Sequence, residues 1–175
     1  EIFEPYEVVV SPSGSCVSMV RVHVPELLAD EGDWRDRAQR VAARTFELSE
    51  FLAQRDFVPR GRFEARVAYH PACHALRELG VDAAPRRLLE GVDSLQLVEL
   101  PEADRCCGFG GAFSIKSPAL SSAILEDKLR AVEASGAEIV TSTDVGCLMH
   151  LGGALKRRGS PVQTRHLAEI LVGEA

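Results

Sequence analysis

A cysteine stands beyond nearly every stretch of this chain that reads as a β-strand, and that placement limits what the chain can fold into. Tyr6-Glu-Val-Val-Val10 is a β-branched run that reads as a buried strand. After the turn Ser11-Pro-Ser-Gly-Ser15, Cys16 opens an apolar, helix-like stretch to about Leu28. Arg62 to Tyr69 reads as a strand leading into His70-Pro-Ala-Cys-His74, with Pro71 suited to the first turn of a helix through Gly80. A short helix near Pro85 to Leu89 precedes the strand Leu95 to Leu100, which delivers the chain to Cys106-Cys107. Ala137 to Ser142 is a strand before the helix Cys147 to Arg158, and a short Val162-Gln-Thr164 strand precedes a helix from His166 to Val172. Strands alternating with helices predict the α/β class, a sheet of parallel βαβ units flanked by helices. Ligands in such sheets gather at the carboxyl ends of strands, so Cys16, Cys73, Cys106-Cys107 and Cys147 are expected along one edge.

Two further helices follow from periodicity. Trp34 to Gln54 is expected as the longest, with Asp33 as N-cap and Trp34, Ala38, Val41, Ala42, Thr45, Leu48 and Leu52 on one face. Arg35, Arg37, Arg40 and Arg44 lie mainly off that face and read as solvated. Pro118 to Ser135 is the other, ended by Gly136 in the C′ position.

The segment Ala103-Asp-Arg-Cys-Cys-Gly-Phe-Gly-Gly-Ala112 is the centre of the expected site. Adjacent cysteines are too close for an ordinary strain-free disulfide, and a redox pair more typically reads Cys-x-x-Cys. Gly108, Gly110 and Gly111 give the backbone freedom to curl and aim N–H groups inward. A dinucleotide loop fails on spacing, because Phe113 stands where the third glycine should be. Between Cys73 and Cys106 lie 32 residues, and between Cys107 and Cys147 lie 39. Four thiolates from one sheet edge can hold a [4Fe–4S] cluster or a tetrahedral Zn²⁺. Cys147 opens a helix and Cys73 lies in the first turns of one, where the helix dipole favours the thiolate.

The histidines divide into two groups. His74 neighbours Cys73, and His150 lies one helical turn past Cys147. Either is a candidate ligand in a Cys₃His site or a donor to a ligating sulfur, and His70 at the strand end is a candidate donor too. His23 and His166 read as structural, and Asp144 as a turn or helix-cap residue.

Totals exclude several classes. The chain has 175 residues, enough for one good-sized domain or a domain plus a piece of another, and a net charge of −6. That charge argues against nucleic acid as the main partner. No apolar stretch approaches the roughly 20 residues of a bilayer span, and no signal-peptide pattern is visible from Glu1. Five cysteines are too few for a disulfide-built scaffold and fit a reducing, cytoplasmic setting. Glu7-Val-Val-Val-Ser11 then Cys16 also lines up with Glu138-Ile-Val-Thr-Ser142 then Cys147, the glutamate preceding the cysteine by nine positions in both. This weak internal repeat suggests two copies of one module, the first represented by its last strand, last cysteine and a helix.

Cys73, Cys106-Cys107-Gly108 and Cys147 resemble the cysteine-rich CCG domain found in heterodisulfide reductases and in the iron–sulfur subunits of glycolate oxidase. His70-Pro-Ala-Cys-His-Ala-Leu-Arg-Glu-Leu-Gly80, Cys106-Cys-Gly-Phe-Gly-Gly111, Ser142-Thr-Asp-Val-Gly-Cys-Leu-Met149 and Arg165-His-Leu-Ala-Glu169 are most similar to the (Fe–S)-binding lactate utilization protein A family. They look like its second half, and Pro12-Ser-Gly-Ser-Cys16 looks like the end of its first. The resemblance implies residues 1–30 as the tail of a first CCG repeat, the remainder of that repeat being absent, and residues 31–175 as a complete second one. It implies Cys73, Cys106, Cys107 and Cys147 as cluster ligands, Gly108, Gly110 and Gly111 as loop-shaping residues, and His74 and His150 as further candidates. Cys16 is a candidate for joining the same site. The implied role is electron transfer in a system of partner subunits oxidising L-lactate to pyruvate. The chain would then carry electrons rather than the substrate site, and any membrane association would come through its partners. The fullest family pattern ends in Cys-x-x-Cys, whereas this chain has Cys147-Leu-Met-His150, so a five-cysteine non-cubane cluster lacks a ligand here. An ordinary [4Fe–4S] cluster and Zn²⁺ both remain open. The rival functions are a zinc-binding scaffold subunit and thiol–disulfide reduction of the heterodisulfide reductase type.

Overall fold

In a computed structural model, the structure describes residues 1–173; Glu174 and Ala175, the end of the expected second domain, lie outside the described residues. The strands are β1 (Val9–Ser11), β2 (Thr45–Glu47), β3 (Arg62–Tyr69), β4 (Asp93–Val98), β5 (Ile139–Ser142) and β6 (Gln163–His166). Between and after them run α1 (Gly14–Ser18), α2 (Val24–Leu27), α3 (Asp33–Ala42), α4 (Leu48–Ala53), α5 (Cys73–Arg77), α6 (Ala83–Glu90), α7 (Ala112–Lys116), α8 (Pro118–Ser135), α9 (Val145–Arg157) and α10 (Leu167–Val172). A π-helical turn, Met19–His23, joins α1 to α2. The main sheet has the order β4-β3-β5-β6, and β1 pairs with β2 in a second sheet. Every pairing is parallel.

Both faces of the main sheet are covered, as a parallel sheet requires. Side chains alternate across β3 and β5, so Val67, Tyr69 and Ile139 face one side while Ala68 and Val140 face the other. The first side packs on Leu88 and Leu89 of α6 and on Leu167, Ile170 and Leu171 of α10. The second packs on Leu125, Leu129 and Val132 of α8 and on Leu151, Ala154 and Leu155 of α9. Each large apolar side chain removed from water in these layers contributes about 1.5–3 kcal/mol. No helix among the described residues is long and apolar enough to cross a membrane.

The bounds of β3 and α8 are those the periodicity predicts, and Gly136 closes α8 in the left-handed conformation at φ +67°. The expected helix from Trp34 to Gln54 is wrong. It ends at Ala42, and Thr45-Phe46-Glu47 forms β2 instead. Pairing with β1 decides this, since Val9, Val10 and Ser11 offer a parallel partner that the local 3.6-residue pattern cannot reveal. Thr45 therefore lies on a strand, and Leu48 and Leu52 share a face of the separate helix α4. The first strand also differs from expectation. It runs Val9–Ser11 rather than Tyr6–Val10, and Val10 is exposed because the short β1–β2 sheet does not enclose it.

The internal repeat is deeper in the structure than in the aligned sequence. Val9 pairs with Thr45 and Ser11 with Glu47, while Val140 pairs with Thr164 and Ser142 with His166. The same register thus holds in both units. Thr45-Phe-Glu-Leu-Ser-Glu-Phe-Leu52 then matches Thr164-Arg-His-Leu-Ala-Glu-Ile-Leu171, strand into helix, which carries the likeness past residue 30 to α4. Glu47 caps α4 as His166 caps α10.

Glu47 is fully buried, accepting the Ser49 hydroxyl and N–H and the Glu50 N–H on one oxygen while the other has no partner. Burial pushes its pKa above the usual carboxylate range, against the pull of those hydrogen bonds. The folded chain therefore holds this proton to a higher pH than the unfolded chain does. The stability from that proton is complete below about pH 4.3, the ordinary glutamate pKa, and is lost as pH rises through the raised value. Glu47→Gln has no such proton to lose. Urea unfolding at a series of pH values is expected to show its stability improving relative to wild type as pH rises from weakly acidic to neutral. A constant difference would contradict the assignment.

Candidate metal centre

Three neighbouring strands, β4, β3 and β5, run in the same direction and end along one edge. The chain leaving each of them carries cysteine. Cys73 is the first residue of α5 after β3, Cys106-Cys107 lie in the loop after β4, and Cys147 is in the first turn of α9 after β5. Asp144 caps α9, its carboxylate accepting the Gly146 N–H at 3.3 Å. The other carboxylate oxygen accepts the Ser15 N–H at 2.9 Å, in the first turn of the helix that bears Cys16. One buried carboxylate thus ties the first unit to the second beside two cysteines. Gly14 permits the approach: a Cβ there would stand 2.7 Å from the Ala75 Cβ on α5.

The Cys106-Cys107 loop is pressed onto α8 at Gly108. Its φ is +87°, and a Cβ would meet the Ser121 carbonyl oxygen at 2.5 Å, so glycine is required both for the turn and for the contact. The Ser121 hydroxyl donates to the Gly108 carbonyl at 2.7 Å, and the Gly108 N–H donates to the Cys106 sulfur at 3.3 Å. Gly110 and Gly111 also have positive φ and carry the backbone into α7.

All five thiols are free. The sulfurs of Cys107 and Cys147 lie 3.2 Å apart, well beyond the roughly 2.05 Å of a disulfide. They are also closer than the ~3.8 Å edge of a tetrahedron built on ~2.3 Å zinc–sulfur bonds, so seating a metal requires this pair to part slightly. Hydrogen bonds between the thiols divide their protons unequally. The Cys107 and Cys73 thiols hold Cys106 well below the usual thiol range, with help from the Gly108 N–H and His70. Cys107 also lowers Cys147, to about 6, against the opposing effect of burial. Cys73 and Cys107 are pushed upward, first by sharing with Cys106 and then by burial. Two of these thiols are drawn toward the thiolate and two away from it, a soft donor set whose remaining protons a metal would displace.

The imidazole brought to these sulfurs is that of His70. It is fully buried, and its ligand nitrogen and the sulfurs of Cys107 and Cys147 all lie within 4.8 Å of one another. Neither ring nitrogen has a hydrogen-bond partner. Leaving a buried polar group unpaired costs about 1–3 kcal/mol, and the ring faces the Cys147 sulfur, which it helps draw toward the thiolate. The donor chemistry fits a zinc ion or an iron–sulfur cluster, with His70 as ligand or as donor to a ligating sulfur. Its place at the end of β3, on the ligand-gathering edge, was the one signal in the sequence that singled it out.

The remaining candidates fall around this group. Cys16, exposed, lines a cleft of about 840 Å³ together with Met19 and Val20 of the π-helical turn and with Cys73, Cys106, Cys107 and Cys147. His74 is exposed on the same cleft. His150 packs against the Phe109 ring at 5.7 Å, and burial lowers its pKa. His166 caps α10 through a capping box with Glu169, in keeping with a structural role. Asp144 is the helix cap expected of it, and its second bond to Ser15 had no local signature.

A protein-family model described as a cysteine-rich domain, CCG, matches residues 67–152, which span the four thiols and His70. Lactate utilization protein A of Halalkalibacterium halodurans is 45% identical over 173 residues, 98% of this chain and 70% of that protein. This chain belongs to the lactate utilization protein A family. The proteins of that name from Lysinibacillus sphaericus and Bacillus subtilis are 43% and 41% identical, covering 97% and 98% of this chain and 75% and 72% of their own lengths.

Two substitutions test how the centre is built. Asp144→Ala removes the cap of α9 and the bond to the first turn of α1, and is expected to lower stability by about 1–2 kcal/mol in chemical unfolding. Gly108→Ala forces a side chain into backbone at a left-handed residue. It is expected to destabilise the fold by on the order of 2 kcal/mol and to lower metal content at saturation. Full stability and metal loading in Gly108→Ala would show that the loop is not held as described.

Proposed function

We propose that this chain is the iron–sulfur electron-transfer subunit of a lactate utilization system that oxidises L-lactate to pyruvate. The observation that carries the reading is the convergence of four free thiols from three adjacent strand ends on one cleft, two of them grouped with the buried His70. Membership of the lactate utilization protein A family supports the pathway. Cys73, Cys106, Cys107 and Cys147 would hold a [4Fe–4S] cluster, and the Gly108 N–H and the His70 ring would donate to its sulfurs or, for His70, to the metal. A bound cluster supplies one-electron transfer. The protein's part is to hold the four sulfurs on one edge of the sheet, with Cys107 and Cys147 buried against the core and Cys73 and Cys106 facing the cleft. The exposed wall bearing Cys16, Met19 and Val20 leaves the cleft open toward a redox partner. Lactate chemistry is assigned to partner subunits, and the setting is the cytoplasm.

The close grouping of His70, Cys107 and Cys147 also favours a second reading, a single Zn²⁺ in a scaffold subunit. Anaerobic reconstitution with ferrous iron and sulfide, followed by iron, sulfide and zinc analysis, separates the two. About four iron and four sulfide per chain are expected, with the visible absorption of a cluster. Cys107→Ser is expected to lose most of that iron and Cys16→Ser to keep it. Stoichiometric zinc that iron does not replace would overturn the cluster in favour of the scaffold.

A further inference from the structure

Behind the cysteine loop stands a lysine that the site's ligand set does not explain. Lys128 on α8 is 1% exposed, and a buried lysine is among the rarest occupants of a protein interior. Ser121, Leu125 and Lys128 follow one another at helical spacing on the face of α8 that meets the loop from Glu102 to Gly108. Ser121 holds the Gly108 end of that loop. Lys128 holds the other end, its ammonium donating to the carbonyls of Glu102 at 2.8 Å and Ala103 at 3.1 Å. Glu102 is one of the few non-glycine residues with positive φ, at +50°, so the ammonium anchors a strained turn just before the cysteines.

Both acceptors are neutral carbonyls, which orient the ammonium without cancelling its charge. A methionine or leucine would fill the same space between α8 and the loop more cheaply, so packing does not account for the charge. The acidic groups that face it are Asp104 on the loop and the sulfurs of the centre, Cys107, Cys73 and Cys106, which carry negative charge once they bind a metal as thiolates. Burial lowers the pKa of the ammonium, and these groups oppose that only in part.

We propose that Lys128 is a positioning residue and buried counter-charge for the thiol centre, holding the loop that presents Cys106-Cys107 and raising the reduction potential of the cluster bound there. The inference rests on the iron–sulfur reading above. Adding one electron to a thiolate-ligated cluster adds one negative charge. A fixed cation in a poorly screened interior therefore stabilises the reduced form more than the oxidised form. Salt in solution screens such a buried pair far less than a surface pair.

The test is the reduction potential of the reconstituted full chain, measured with iron content for wild type, Lys128→Gln and Lys128→Arg. Glutamine keeps a donor for the two carbonyls but carries no charge. The expected result is a Lys128→Gln protein with wild-type iron content and a midpoint shifted to more negative potential, with Lys128→Arg returning toward wild type. Full iron content and an unchanged midpoint in Lys128→Gln would overturn the inference while leaving the cluster assignment intact. Should Lys128→Gln load no iron, rescue of loading by Lys128→Arg supports the requirement for charge, and a loss shared by both variants overturns it in favour of packing. A wild-type chain that takes up no iron overturns the iron–sulfur reading and this inference with it.

Discussion

Parallel pairing of β4, β3 and β5 is the constraint on which the candidate centre depends. Because the three strands run the same way, their carboxyl ends open on one edge about 5 Å apart from neighbour to neighbour. Loops leaving that edge bring cysteines together that are separated by 32 and 39 residues in the chain. The apolar layers on both faces of the sheet hold the strand ends in place, and the loop that carries Cys106-Cys107 is fixed in turn against α8. Asp144 adds the last tie, capping α9 beneath Cys147 while gripping the first turn of α1 beneath Cys16.

The proposed electron-transfer role rests on this arrangement. Four soft donors, two of them drawn toward the thiolate by their neighbours, sit at the bottom of a cleft that a partner can approach. Polar groups with unspent hydrogen-bonding capacity, His70 above all, face the same point. On the far side of the cysteine loop the Lys128 ammonium supplies a charge of opposite sign. The face of α8 that carries Ser121, Leu125 and Lys128 therefore shapes the site as much as the cysteine motif does.

The strand-then-cysteine order was legible residue by residue, because β-branched runs and turn residues report local conformation. The helix Pro118–Ser135 and its glycine stop were legible for the same reason. The segment Thr45–Glu47 was not, since its apolar spacing continues that of α3 and only its pairing with β1 makes it a strand. That error also hid the second half of the internal repeat, where Glu47 and His166 occupy matching registers. Among the histidines, neighbouring a cysteine in sequence was a poor guide. His74 is exposed on the wall of the cleft and His150 packs on Phe109, while His70 enters the site from a strand end.

By itself, then, the sequence determined the α/β class, the edge on which the cysteines would lie, and the glycine-rich loop between them. These follow from short-range preferences: period, turn chemistry and the carboxyl-end rule for parallel sheets. Only the tertiary structure decided which imidazole meets the thiols, that Asp144 caps α9 while also binding the first turn of α1, and that a buried lysine backs the loop. Those depend on side chains far apart in the chain meeting across packed elements. Burial then determines whether a polar group there finds a partner or is left waiting for one.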